Sequence, residues 1–161
     1  MKPLHVAVVC TGNICRSPMG EVALIHLLAA TSALSSSVTV TSAGTARWHE
    51  GSPMDPRARR SLDRAGFLEA GSSAAYADTA YLDRQDLVLV MTREHRTDVR
   101  ERLSNPRTQV MMVRNLVTPG LDLDVADPYY GTDKDFDSCL RTLTEASQRL
   151  VAQWLTQSGH R

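Results

Sequence analysis

Apolar residues follow two rhythms along this chain. Short unbroken runs alternate with longer stretches in which apolar positions return every three or four residues. Leu4 to Val9 is the first run, β-branched and apolar apart from His5, and it reads as a buried strand. Ser17-Pro18 then has the chemistry of a helix start, with serine as cap and proline at the first helical position. Met19, Val22, Ala23, Leu24, Leu27 and Leu28 continue at helical spacing. Val38 to Ser42 alternates Val and Thr as a second strand, closed by Ala43-Gly44. Pro56 to Ala65 reads as an amphipathic helix carrying Arg57, Arg59, Arg60 and Arg64, ended by Gly66, and the small-residue stretch from Ala65 to Ala77 as an irregular connection. Asp86 to Met91 is a third strand, Arg93 to Leu103 a helix and Gln109 to Val113 a fourth strand. Asp133 to Thr156 closes the chain as a long helix with Phe136, Leu140, Leu143, Leu150 and Trp154 on its apolar side.

Strands that alternate with helices predict an α/β protein, with a parallel sheet covered by helices on both faces. Ligands in such sheets bind beyond the carboxyl ends of the strands. That rule gives the pattern a focus. Cys10 ends the first strand, Ser42-Ala43-Gly44 the second, Thr92 follows the third, and the long Asn115 to Thr132 connection, with Asp127 in it, follows the fourth. Parallel strands carry all of these to one rim, and a connection of that length usually indicates either function or disorder.

Composition narrows the classes. The 161 residues suit one domain, residues 1–161, without repeats or a linker. Eighteen basic and eighteen acidic residues cancel, which speaks against a nucleic-acid partner held by bulk charge. No apolar run approaches the roughly 20 residues that span a bilayer, so no membrane partner is expected. Met1 to Cys10 runs straight into a strand pattern without a signal-peptide layout. Three cysteines without framework spacing, Cys10, Cys15 and Cys139, favour the reducing cytoplasm. Scattered histidines and the absence of a CxxC or HExxH motif predict no metal, and nothing calls for a cofactor.

The chemistry concentrates in Cys10-Thr11-Gly12-Asn13-Ile14-Cys15-Arg16-Ser17. Cys10 stands between a strand and a helix N-terminus, where unpaired N–H groups and the helix dipole favour a sulfur anion, and Arg16 adds a fixed cation. The same field binds the oxygens of a phosphate. Five intervening residues suffice for a semicircular loop whose N–H groups converge, with Gly12 and Asn13 accepting unusual backbone angles. The planar fork of Arg16 can hold two oxygens, and the Ser17 hydroxyl is placed to stabilise the sulfur as a leaving thiolate. A lone cysteine at a strand end is more often a small buried hydrophobe; the strand–C-x5-R-S-P–helix context shifts the reading to catalysis.

Cys10 to Pro18, CTGNICRSP, resembles the signature of the low-molecular-weight protein tyrosine phosphatases. Thr41 to Thr45 with Trp48, the Pro53 to Ala58 stretch, Asp86 to Met91 and Asp127-Pro128-Tyr129-Tyr130-Gly131 match the same family in order, so the resemblance spans essentially the whole chain. It implies a flavodoxin-like or Rossmann-like four-stranded parallel sheet, a cysteinyl-phosphate mechanism and no metal. It implies Cys10, Arg16 and Asp127 as catalytic residues, Asp127 being the acid that protonates the leaving phenolate; Asp122 and Asp124 are set aside. Ile14, Trp48, Tyr129 and Tyr130 become the substrate cleft, and Asn13, Ser17 and Ser42 the support of the loop. Cys15 is either a small buried side chain or, on the family reading, a redox partner for Cys10. The implied partners are a phosphotyrosine-bearing protein, phosphate or another oxyanion in the site, and a partner tyrosine kinase. Two departures stand out. The family's supporting histidine ahead of the third strand is absent, since Gly71 to Asp78 offers Tyr76 instead, and Gly20 replaces a common alanine.

Other readings share the scaffold. An arsenate reductase needs two further relay cysteines where only Cys139 is available. A protein-arginine phosphatase typically has threonine at the place of Ile14 and a reduced aromatic pair. A phosphotyrosine-binding module without turnover is expected to lose the nucleophile or the acid, and both are present. His49, beside Trp48, suggests no protease dyad and reads as a surface histidine.

Overall fold

The computed structural model describes residues 2–159. Four strands, β1 (Leu4–Cys10), β2 (Val38–Gly44), β3 (Leu87–Val90) and β4 (Gln109–Met112), form one sheet in the order β2-β1-β3-β4. All three pairings are parallel, with Val6 opposite Val40 on one side and Leu87 on the other. Between and after the strands run α1 (Arg16–Ala29), α2 (Ser32–Ser35), α3 (Pro56–Arg64), α4 (Thr79–Asp83), α5 (Arg93–Arg102) and α6 (Asp133–Ser158). The expected α/β architecture is present. The sequence pattern overlooked α2, α4 and a 3-10 turn at Val113–Leu116, all of four or five residues and too short for a helical period to declare itself.

Alternation within β1 and β3 explains why helices cover both faces. Val6, Val8, Cys10, Leu87, Leu89 and Met91 point into one apolar cluster with residues of α1 and α6, among them Met19, Leu24, Phe136 and Leu143. Ala7, Val9, Val88 and Val90 point the other way, onto Leu82 of α4 and Val99 of α5. β1 is therefore sealed on both sides from Val6 to Cys10. Gly20 is explained by the same packing: a Cβ there would lie 3.0 Å from Val8 Cγ1, so the glycine lets α1 approach the sheet.

The start of α1 departs from its reading. Ser17 was expected as the cap and Pro18 as the first helical residue. The helix begins at Arg16, Cys15 occupies the cap position, and no side chain caps it. The Ser17 hydroxyl, not used as a cap, lies 3.0 Å from the Cys10 sulfur. Among the described residues no helix is long and apolar enough to cross a membrane.

Candidate active site

The loop from Thr11 to Cys15 wraps the carboxyl end of β1, and it is built by close approach. Gly44, at the end of β2, leaves no room for a side chain, because a Cβ would lie 2.4 Å from the Thr11 carbonyl oxygen. Ala46 N–H donates to that carbonyl at 3.0 Å, and Asp55 N–H donates to the Ile14 carbonyl at 2.8 Å. Asn13 takes the left-handed conformation the tight curve requires, with φ at 56°. Gly12 does not; its glycine is a matter of space. A Cβ there would sit 2.9 Å from His49 Cδ2, so His49 lies against the loop and borders the cleft. This corrects its reading as an ordinary surface histidine.

Behind the loop, hydrogen bonds run in one direction. Ala75 N–H can only donate, and it donates to Asn13 Oδ1 at 2.9 Å. Both protons of Asn13 Nδ2 therefore go to serines, to Ser17 Oγ at 2.7 Å and Ser42 Oγ at 2.9 Å. Ser42 passes its own proton to Glu21 Oε2 at 2.7 Å, and Ser72 donates to Glu21 Oε1 at 2.6 Å. Ser17, already accepting, has its proton free for the sulfur of Cys10. Asn13, Ser17, Glu21 and Ser42 are all buried. The stretch from Gly71 to Asp78 thus supports the loop without a histidine, through Ser72 and the Ala75 amide. Tyr76, the residue singled out there, is elsewhere: it bridges to Gly44 and its ring lies under Arg47 and Arg102.

Arg16 is buried beneath the cleft. Nη1 donates to the Val125 carbonyl at 2.9 Å, and Nη2 lies 3.5 Å from Asp127 Oδ2. Asp127 is half exposed, and its Oδ1 accepts from Tyr129 N–H at 3.1 Å. Trp48 and Tyr130 stand largely in solvent as rims, Tyr129 less so, with the two tyrosine rings edge to face at 4.9 Å. These groups, with Cys10, Thr11, Ile14 and Cys15, line a cleft of about 240 Å³. Larger hollows of about 660 and 700 Å³ lie elsewhere, around Trp154 and between Arg64 and Arg149, and neither is lined by a cysteine. The rejected carboxylates are engaged in structure. Asp122 pairs with Arg96 and Asn115, and Asp124 accepts from Arg93 N–H; both are held below the usual carboxylate range by those bonds.

All three cysteines are free and buried. Burial, then the Asp55 charge, pushes the Cys15 thiol up, and burial pushes Cys139 up to about 12. Among the described residues no group of three or more His, Cys, Asp or Glu is placed to hold a metal ion.

The family of low molecular weight phosphotyrosine protein phosphatases matches residues 5–159 of the chain. The chain belongs to this family. A low molecular weight protein-tyrosine phosphatase A of Mycobacterium tuberculosis is 40% identical over 146 residues, 89% of this chain and 87% of that protein. Two solved structures extend the likeness. Wzb of Vibrio vulnificus in complex with benzylphosphonate superposes with a TM-score of 0.81 at 27% identity, over 93% of this chain and 98% of that one. The arginine phosphatase YwlE of Geobacillus stearothermophilus does so with a TM-score of 0.83 at 29% identity, over 99% and 97%.

Within this phosphatase scaffold Cys10, Ile14, Cys15, Arg16, Trp48, Asp127, Tyr129 and Tyr130 line one cleft, Asn13, Ser17 and Ser42 lie behind its loop, and several residues that the sequence reading missed join them. His95, at the start of α5, is buried, and its Nε2 lies 2.7 Å from Thr11 Oγ1. Its Nδ1 has no hydrogen-bond partner among the described residues. The tautomer that strands no buried N–H carries its proton on Nε2, which leaves the Thr11 hydroxyl proton free for the cleft. Glu21 and Ser72 were also missed. A glutamate among the apolar positions of α1 is the one signal that could have exposed it, since a buried carboxylate must have partners.

Proposed function

We propose that the protein removes the phosphoryl group from phosphotyrosine in protein substrates through a cysteinyl-phosphate intermediate. The observation that carries this is the convergence of Cys10, Arg16 and Asp127 on one aromatic-walled cleft. Cys10 Sγ attacks phosphorus, and the bond to the phenolic oxygen breaks. Arg16 and the loop N–H groups hold the non-bridging oxygens as charge builds. Asp127, entering protonated, gives its proton to the leaving oxygen, and its carboxylate then takes one from the water that attacks the cysteinyl phosphate. Phosphate leaves, and the sulfur departs as a thiolate beside the Ser17 hydroxyl. Ile14, Trp48, Tyr129 and Tyr130 flank the ring of the substrate. Residues 1–161 act as one domain, and three unpaired cysteines suit the reducing cytoplasm, where a tyrosine kinase would supply the substrate.

A protein-arginine phosphatase is the second reading, favoured by the likeness to YwlE. The exposed aromatic pair and Ile14 favour the flat phenyl ring over a guanidino group. An arsenate reductase relay is disfavoured by Cys139, which is buried in α6 with its thiol pushed up to about 12. Turnover of matched phosphotyrosine and phosphoarginine peptides tests the proposal, with Cys10→Ser as the control. Preference for phosphoarginine, or turnover that survives Cys10→Ser, refutes it.

A further inference from the structure

The acid loop hangs by few threads. Upstream of Asp127 it is well tied: Val125 N–H donates to the Met91 carbonyl, Arg16 and Arg114 donate to the Val125 and Asp124 carbonyls, and Arg93 N–H donates to Asp124. From residue 126 to 131 two bonds are internal, Tyr129 N–H to Asp127 and Gly131 N–H to the Pro128 carbonyl. Among the described residues, two side chains hydrogen-bond to that segment from outside, Arg16 at Asp127 and Arg57 at the Tyr129 carbonyl.

These two tethers behave differently during turnover. Arg16 is the cation that must turn to phosphate oxygens, and an Asp127 that carries the proton it is about to donate no longer forms an ion pair. The first tether therefore weakens when the acid is needed. The second does not depend on phosphate. Arg57 donates through Nε and Nη2 to both oxygens of Asp55, at 3.1 and 2.9 Å, and through Nη1 to the Tyr129 carbonyl at 2.8 Å. Its guanidinium also lies over the rings of Phe136 and Tyr129, at 4.7 and 5.2 Å. Asp55 in turn donates its N–H to the Ile14 carbonyl of the phosphate loop. One continuous strut thus joins the loop bearing Cys10 to the loop bearing Asp127.

We infer that Arg57, braced by Asp55, is the positioning residue that keeps the Asp127 loop over the cleft while Arg16 is occupied by the phosphoryl group. The inference rests on the phosphatase reading, with Asp127 as the proton donor. A planar fork is required because three bonds in two directions are made at once; lysine can serve only part of them. Asp55 keeps its capping bond to residue 57 N–H whatever the side chain there, so substitution of Arg57 spares the start of α3.

The test is Arg57→Met, with Arg57→Lys as the milder variant. Hydrogen–deuterium exchange in the presence of inorganic phosphate is expected to speed up in residues 126–131 and to stay unchanged in α1. For phenyl phosphate kcat should fall between about 10- and 100-fold, as misplacement of a reacting group does, with KM little altered. An activated aryl phosphate should lose far less, and in an Asp127→Asn background Arg57→Met should add almost nothing. Arg57→Lys should fall between the parent and Arg57→Met. Unchanged exchange in 126–131, an equal loss for both leaving groups, or full additivity with Asp127→Asn overturns the inference. If the parent protein turns over neither ester, the phosphatase reading fails, and the exchange measurement alone decides the strut.

Discussion

Ser17 Oγ lies 3.0 Å from the sulfur of Cys10 while it accepts the Asn13 amide at 2.7 Å. Its proton has one other acceptor in reach, the Ala43 carbonyl at 3.5 Å, so the sulfur is the better partner. A hydrogen bond to an anion is worth roughly 1.5–3 kcal/mol, and in this site it counts most when the thiolate leaves phosphorus. Ser17→Ala should slow breakdown of the cysteinyl phosphate by about 10- to 100-fold. Rapid-quench kinetics should then show a burst of phenol followed by slow turnover. A uniform slowing without a burst would place Ser17 in the first step instead.

Asp127 stands at the mouth of the cleft, half exposed and next to the Arg16 fork. A proton donor matters in proportion to the basicity of the group it helps expel, and donation typically contributes 10²–10⁴-fold, roughly. Asp127→Asn should cost phenyl phosphate about 100-fold or more and leave an activated aryl phosphate close to the parent rate. Comparable losses for both esters would remove Asp127 from the role of acid.

How much could be read in advance depended on whether a feature was written in adjacent residues. The strands announced themselves because Val6 to Cys10 and Leu87 to Val90 are buried on both faces and had to be apolar throughout. The loop after β1 stood out because its candidate chemistry lies within eight consecutive positions, Cys10 to Ser17. The onset of α1 was misread for a physical reason: a serine followed by proline usually caps, but here the hydroxyl is claimed by Cys10. What escaped were groups that meet only after folding. His95 reaches Thr11 from 84 positions away, Ser72 reaches Glu21 across 51, and Arg57 reaches the Tyr129 carbonyl across 72. No periodicity records such encounters.

Glu21 anchors the proton order behind the loop, accepting from Ser42 and Ser72 in a buried position. Glu21→Ala leaves two hydroxyls without their acceptor and opens a cavity, so a loss of about 3 kcal/mol is expected in denaturant unfolding. A glutamine can keep its oxygen on Ser42 and turn its NH₂ toward the exposed Ser72, whose hydroxyl can then turn to water. Glu21→Gln should therefore cost less than about 1.5 kcal/mol and retain most turnover. Equal damage from both substitutions would show that the direction of the hydrogen bonds is irrelevant.

Cys15 sits in the loop as a buried thiol, pushed up first by burial and then by the charge of Asp55. If it shields Cys10, peroxide first converts the Cys10 thiolate to a sulfenic acid, and the Cys15 thiol condenses with it, releasing water and forming a disulfide. Cys15→Ser should leave turnover near the parent level. After peroxide treatment the parent should weigh two hydrogens less and recover with dithiothreitol, whereas the variant should recover poorly. Equal recovery of both would leave Cys15 as packing alone.

His95 gives the protein an acid sensitivity of identifiable origin. Burial, followed by the nearby Arg16 charge, lowers its imidazole from 6.5 to about 4, outweighing the opposite pull of Asp124 and Asp127. The folded state therefore resists the proton that the unfolded chain accepts. Stability from this source is complete above pH 6.5 and declines as pH falls toward 4, by about 3 kcal/mol at most. The carboxylates held low by their partners, Asp55, Asp83, Asp122, Asp124 and Asp137, act in the same direction but only below the ordinary aspartate value of 3.8, so the two windows separate. Urea unfolding measured from pH 7 to pH 4.5 should show a falling midpoint in the parent protein. His95→Gln, which can still hydrogen-bond Thr11 but cannot take up a proton in this range, should flatten that slope while lowering stability at pH 7. A slope that persists unchanged in the variant would assign the acid sensitivity to another group.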